Sequence, residues 1–271
     1  MKVSLTYTPK EIEFGPIILR NQPPADAFSV AAELGFDGVE IHIRRPDDLD
    51  WKEVKSLCKT HGLSVTTIGT GMAGVMDGLT FGHENAETRQ RAVELVIQHI
   101  ENAAEFGSAV TIGFLNGKIG ASGDRRETLR RALVDCYAQA AAVAEKHGVT
   151  LLCEPLNRYE CDYPNSVQQG LALIAEAGSP AIKLLCDTYH MNIEERDICE
   201  SFRLAGDRLG YVHFADSNRY GPGAGHIPFD AVAATLREIG YTGVIGLEHL
   251  MDQAPRPTAE QSVRVIRSLI G

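Results

Sequence analysis

Eight short apolar runs, separated by amphipathic stretches that mostly end in glycine, recur along the whole chain, and this alternation leaves little choice of architecture. The runs are Val3–Tyr7, Gly38–Ile43, Ser64–Gly69, Ala109–Phe114, Thr150–Glu154, Ile182–Asp187, Tyr211–Ala215 and Val244–Glu248. Most are continuous rather than alternating, as strands covered on both faces must be. Eight of them with helices between predict an α/β chain closed as a (β/α)8 TIM barrel. Gly35, Gly62, Gly107, Gly148, Gly178 and Gly240 stand where a left-handed residue ends each helix. Asp124 with Glu127, Ser166 with Gln169 and Thr258 with Gln261 have capping-box spacing and predict helix starts. At 271 residues, one domain over 1–271 is expected, with the glycine-rich segment 221–225 as a loop over the mouth rather than a linker.

Composition excludes several classes. The 26 Lys plus Arg are outnumbered by 36 Asp plus Glu, and no basic run interrupts the acidity, so nucleic acid is not an expected partner. No window is apolar enough to suggest a membrane span, and Met1–Leu5 runs into a strand without the pattern of a leader. Six cysteines lie scattered without CxxC pairs, which fits a reducing cytoplasm better than a disulfide framework. The expected partner is a small molecule, with homo-oligomerisation left open.

Gly69-Thr70-Gly71-Met72-Ala73-Gly74 matches the dinucleotide fingerprint G-x-G-x-x-G. The fingerprint needs a helix opening at the glycines and an acidic residue ending the next strand, whereas Val75–Gly82 reads as a loop, so the match is set aside. His61 and His147 sit at helix ends; His42, His83 and His99 lack partners at metal-ligand spacing and read as ordinary satisfied or solvated histidines.

In such a barrel, side chains at the C-terminal ends of the strands converge on one mouth. Glu154, Asp187, His213 and Glu248 stand at the ends of strands five to eight in succession. Three carboxylates and an imidazole brought together repel one another unless a cation neutralises them, so a divalent ion is expected. An oxygen-rich donor set with one nitrogen suits Mn²⁺ best, with Mg²⁺ or Co²⁺ as alternatives. Asn157, Glu160, His190, Asn218 and Arg219 follow on the same loops and are candidates to line a substrate, while Arg158, Glu194, Glu195 and Arg196 read as surface ion pairs.

The segments Glu154-Pro155-Leu156-Asn157-Arg158-Tyr159-Glu160, Asp187 to Glu195 and His213-Phe214-Ala215-Asp216-Ser217-Asn218-Arg219 resemble the xylose-isomerase-like sugar epimerases. They are most similar to the ketose 3-epimerases and, within that group, to the 5-keto-L-gluconate epimerases. The resemblance implies that Glu154, Asp187, His213 and Glu248 hold the metal and that Glu154 and Glu248 also carry protons. It further implies that Glu160, His190 and Arg219 surround the substrate carbonyl and its neighbouring hydroxyls. The implied reaction inverts the carbon next to a ketone through an enediolate. The short loop 115–120 departs from the longer loops of the family, and its Lys118 is a candidate to meet an anionic substrate end. Competing expectations are an aldose–ketose or hydroxypyruvate isomerase, a 3-oxo-sugar lyase or decarboxylase, an endonuclease of the same barrel superfamily, and a sugar-binding protein without turnover.

Overall fold

The computed structural model of the chain describes residues 1–13, 15–120 and 122–271. Eight strands run parallel, each beside the next: β1 (Lys2–Thr8), β2 (Gly38–His42), β3 (Ser64–Gly69), β4 (Ala109–Ile112), β5 (Leu151–Cys153), β6 (Ile182–Asp187), β7 (Leu209–His213) and β8 (Val244–Leu247). Pairing of β1 with β8, from Lys2 opposite Val244 to Leu5 opposite Leu247, closes them into a (β/α)8 TIM barrel. A two-residue strand, Leu19–Arg20, lies against the end of β1.

The helices are α1 (Pro24–Glu33), α2 (Trp51–His61), α3 (Gly71–Asp77), α4 (Ala86–Ala104), α5 (Gly123–His147), α6 (Val167–Ala177), α7 (Thr188–Glu194), α8 (Ile198–Ala205), α9 (Phe229–Glu238) and α10 (Pro255–Ile270). Among the described residues, no helix is long and apolar enough to cross a membrane.

Because side chains alternate along a strand, the barrel wall divides its apolar residues between two cores. Leu151, Cys153, Leu184, Cys186 and Val212 face outward into a core shared with helix residues such as Phe28, Val96 and Ile266. Leu152, Leu185 and Tyr211, with Ala109 and Val244 against them, form a second, inner cluster. Two residues beyond Leu152, Leu185 and Tyr211, on the same face and one pleat nearer the mouth, stand Glu154, Asp187 and His213. Alternation therefore delivers the polar residues to the inside of the barrel top.

The six helix-ending glycines all have positive φ, from +60° at Gly107 to +79° at Gly35, as their placement requires. Of the three expected capping boxes only half of one forms: at α6 Ser166 Oγ accepts from the Gln169 amide at 3.2 Å, while Gln169 Oε1 accepts from the amide of Asn165, one residue before the cap, at 2.8 Å. α5 starts from Ser122, so Asp124 lies inside its first turn. α10 starts earlier than its box, because Pro255 has its φ preset for a first helical position, and Thr258 is buried within the helix.

The segment after β3 also corrects the sequence reading, since residues 71–77 form α3 rather than a loop. A Cβ at Gly74 would lie 2.8 Å from the Phe114 carbonyl oxygen, so the glycines let α3 press against the turn after β4. No acidic residue ends β4, and a dinucleotide site still lacks its ribose partner. His99 is neither satisfied nor solvated: it is buried with both ring nitrogens unpartnered, and burial pushes its pKa down to about 4.

Buried Asn116 ties this region to the site. Its Nδ2 donates to the Glu154 carbonyl at 3.1 Å, and its Oδ1 accepts from the Tyr137 hydroxyl at 2.7 Å. Asn116→Ala removes both bonds and leaves the Tyr137 hydroxyl only its longer contact to the Ile112 carbonyl at 3.5 Å, and we expect it to lower stability by about 1–3 kcal/mol in urea denaturation. A change below about 0.5 kcal/mol would show that neither bond matters to the fold.

Candidate metal centre and cavity

Glu154, Asp187, His213 and Glu248 each offer one ligand atom to a group whose atoms all lie within 4.8 Å of one another. The positions follow from local backbone. The Glu154 amide continues the ladder to the Ile112 carbonyl at 3.1 Å. The neighbouring Gly113 has no side chain, and a Cβ there would collide with the Glu154 carboxylate. Asp187 divides its two oxygens: Oδ1 caps α7 by accepting from the Tyr189 amide at 2.8 Å, which leaves Oδ2 for the cluster. His213 Nδ1 lies 3.6 Å from Glu154 Oε1 and 3.7 Å from Glu248 Oε2.

Glu154 Oε1, Asp187 Oδ2 and His213 Nδ1 are buried, face one another and have no hydrogen-bond partner. Buried polar atoms are rarely left so. Three orphaned acceptor-type atoms converging on one point fit a divalent cation, and the absence of sulfur favours a hard or borderline ion over structural zinc. The electrostatics agree. Burial, reinforced by Glu248 and Glu154 and opposed by Arg219 and His213, pushes Asp187 up to about 8. Burial also raises Glu154. Burial opposes charge on His213, but Glu40 and Glu248 outweigh it and hold the imidazole well above its ordinary value.

The residues expected around a substrate fall into two groups. His190 is buried against the cluster, and its Nδ1 accepts from the backbone amide of Asn157 at 3.2 Å. Its Nε2 lies 3.3 Å from Arg219 Nη1, an obligate donor, and 3.7 Å from Asp187 Oδ2. Burial, with Arg219 and His213 nearby, keeps this ring well below the usual value and uncharged.

Arg219 adopts φ +64°, a strained conformation for a non-glycine residue, and its guanidinium lies over the Tyr189 ring at 4.5 Å. It donates to Glu248 Oε2 at 3.2 Å and lies 3.8 Å from Glu160 Oε1. Asn157 braces these groups by donating from Nδ2 to Glu160 Oε1 at 2.9 Å. Asn218 faces away, donating to the Ala224 carbonyl in the exposed glycine-rich loop.

Lys118 stands apart. It is exposed, donates from Nζ to the Tyr159 carbonyl at 3.1 Å, and does not border the cavity. The anion-binding role expected of it therefore has no geometric support: the turn at residues 114–117 aims the lysine along the surface. Arg158, expected in a surface ion pair, is exposed and pairs at 2.8 Å with Glu194, whose side chain is largely buried. Glu195 instead braces α6 and α8, accepting from the Val167 amide and the Ser201 hydroxyl.

Above the cluster lies a cavity of about 230 Å³. Glu154, Glu248, His190 and Arg219 form its polar floor, and Ile12, Ile17, Met72, Met76, Phe114 and Leu156 much of its wall. Among the described lining residues Arg219 is the only lysine or arginine, and it is already paired. His42 also borders the cavity, its ring filling the space left by Gly69, and its neighbour Glu40 is a fully buried carboxylate in mid-strand. Sequence reasoning missed Glu40 altogether and gave His42 a bland role. The signal was a carboxylate interrupting an apolar run with a histidine two residues on, both on one face by strand periodicity.

With Asp187 raised to about 8 and His213 held well above its ordinary value, the metal-free cluster holds protons at neutral pH that a cation must expel. Mn²⁺ affinity should therefore rise as pH increases through about 8, with proton release shrinking as Asp187 loses its proton. Calorimetric titration at pH 6.5 and 8.5 in buffers of different ionisation enthalpy checks this; equal affinities without proton release would contradict it.

Comparison with known proteins agrees with the geometry. The model of the xylose isomerase-like TIM barrel family matches residues 28–269. An L-ribulose 3-epimerase of Mesorhizobium japonicum is 31% identical over 239 residues, 88% of this chain and 79% of that one. A 3-dehydro-D-guloside 4-epimerase of Escherichia coli is 30% identical over 230 residues, 82% of this chain and 86% of that one. The crystal structure of a D-allulose 3-epimerase from Methylomonas sp. superposes with a TM-score of 0.84 at 25% identity, covering 99% of this chain and 98% of that one.

Proposed function

Because this chain belongs to the xylose isomerase-like TIM barrel family, we propose that it is a divalent-metal-dependent epimerase that inverts the carbon next to the ketone of a keto-sugar. The convergence of Glu154 Oε1, Asp187 Oδ2 and His213 Nδ1, buried and unpartnered beneath the cavity, carries the assignment. The relatives' names support the reaction. A 3-epimerase of ribulose and a 4-epimerase of a 3-dehydro sugar act at different carbons, yet each inverts the carbon adjoining the ketone.

Glu154, Asp187, His213 and Glu248 would hold the cation, Mn²⁺ by preference. When bound, the ion would supply positive charge to stabilise a developing oxyanion. Glu154 and Glu248 are the proton carriers: one takes the proton from the carbon beside the ketone, and the other, protonated, returns one to the opposite face. Arg219 and His190 are positioned to orient substrate oxygens, and Glu160 holds Arg219 in place. The apolar wall favours a neutral sugar tail over a carboxylate, since Lys118 lies outside the cavity and Arg219 is occupied. All six cysteines are free thiols, which supports a reducing, cytoplasmic setting.

Incubation with ketoses in D₂O, followed by NMR, should show exchange and inversion at the carbon next to the carbonyl. Chelation should abolish turnover and Mn²⁺ restore it. Glu154→Gln and Glu248→Gln should each lower kcat by roughly 10²–10⁴-fold, while Lys118→Ala should leave kcat/KM unchanged for tagatose and tagaturonate alike. Full turnover by protein shown to be metal-free by elemental analysis would refute the proposal.

A further inference from the structure

Glu40 has no part in the chemistry so far, yet it is a fully buried carboxylate in the barrel interior. It lies in the middle of β2, with no exposed surface, and its carboxylate reaches across to β7. His213 Nε2 lies 3.0 Å from Glu40 Oε2 and 3.1 Å from Oε1. His42 Nε2 lies 3.0 Å from Oε1 on the other side, out of line for a hydrogen bond. A carboxylate is kept in such a place only where it is paired.

Building on the cation site proposed above, we infer that Glu40 is a positioning residue that selects the tautomer of His213, so that Nδ1 is the atom presented to the metal. A neutral imidazole carries one N–H, and an ionised carboxylate only accepts. With Glu40 beside Nε2, the proton is held there and the Nδ1 lone pair is left free. Nδ1 is the ring atom that is buried, unpartnered and turned toward Glu154 and Glu248.

The need for Glu40 follows from the cluster itself. Glu154 and Glu248 are also acceptors, and without a competitor they would draw the proton to Nδ1, leaving the lone pair on Nε2, where it points away from the other ligands. A carboxylate behind the imidazole reverses that choice and makes the ring a stronger donor. The room for it comes from Gly246 on β8, where a Cβ would lie 2.8 Å from Glu40 Oε2 and 2.9 Å from His213 Cδ2.

Two variants separate acceptor from charge. Glu40→Leu removes both, and Glu40→Gln keeps an oxygen that can accept from Nε2–H. Calorimetric titration with Mn²⁺ alone should show affinity about 10–100-fold weaker in Glu40→Leu, with a smaller loss in Glu40→Gln. Long-range ¹H–¹⁵N correlation spectra of Mg²⁺-loaded protein should place the His213 proton on Nε2 in the wild type and in Glu40→Gln, and shift it toward Nδ1 in Glu40→Leu. If Glu40→Leu does not fold, Glu40→Gln decides by its Mn²⁺ affinity, expected about tenfold below wild type. Wild-type protein that binds Mn²⁺ with variants that bind within twofold of it, or a wild-type His213 protonated on Nδ1, would overturn this inference alone. Wild-type protein that takes up no Mn²⁺ would overturn the cation site and this inference with it.

Discussion

Four carboxylates, those of Glu40, Glu154, Asp187 and Glu248, are gathered inside the top of one barrel, and their mutual repulsion governs what surrounds them. Like charges at such separations in a poorly solvated interior cannot all ionise without compensation. His213 lies between Glu40 on one side and Glu154 and Glu248 on the other. Arg219 enters from the loop after β7 in a strained backbone conformation to reach Glu248. What these two cations leave uncompensated, a proton on Asp187 or a bound divalent ion must supply.

The barrel creates this concentration through strand periodicity. Each wall strand alternates between the helix layer and the interior, so polar residues two positions beyond Leu152, Leu185 and Tyr211 meet above the inner apolar cluster although they are far apart in sequence. Small residues complete the arrangement. Gly69, Gly113 and Gly246 each leave the volume occupied by a polar neighbour, respectively the His42 ring, the Glu154 carboxylate and the Glu40–His213 pair.

Much of this was legible in the sequence, because strand ends mark themselves. An apolar run that stops at Glu or Asp announces both the strand and the side chain at its mouth, and this is how Glu154, Asp187 and Glu248 were found. Glu40 escaped because it sits inside the run Gly38–His42, where the sequence does not say which parity faces inward. Lys118 was misplaced for a related reason: loop position follows from sequence, but the direction of a long exposed side chain depends on turn geometry, here a carbonyl of Tyr159 in a different loop. Residues 75–77, read as part of a loop, belong instead to α3, whose glycines serve close packing against Phe114. The unformed boxes of α5 and α10 show that a preceding serine or a proline at the first turn can move a helix start by several residues.

The divided carboxylate of Asp187 ties two parts of the molecule together. One oxygen holds the first turn of α7 and the other faces the cluster, while His190, three residues on, lies in that same turn. Electron density drawn toward Oδ2 weakens what Oδ1 offers to the Tyr189 amide, and a frayed first turn would loosen the His190 ring. Helix capping, charge balance at the floor and the aim of an imidazole into the cavity thus share one pair of oxygen atoms, so a perturbation of any one of them is transmitted to the other two.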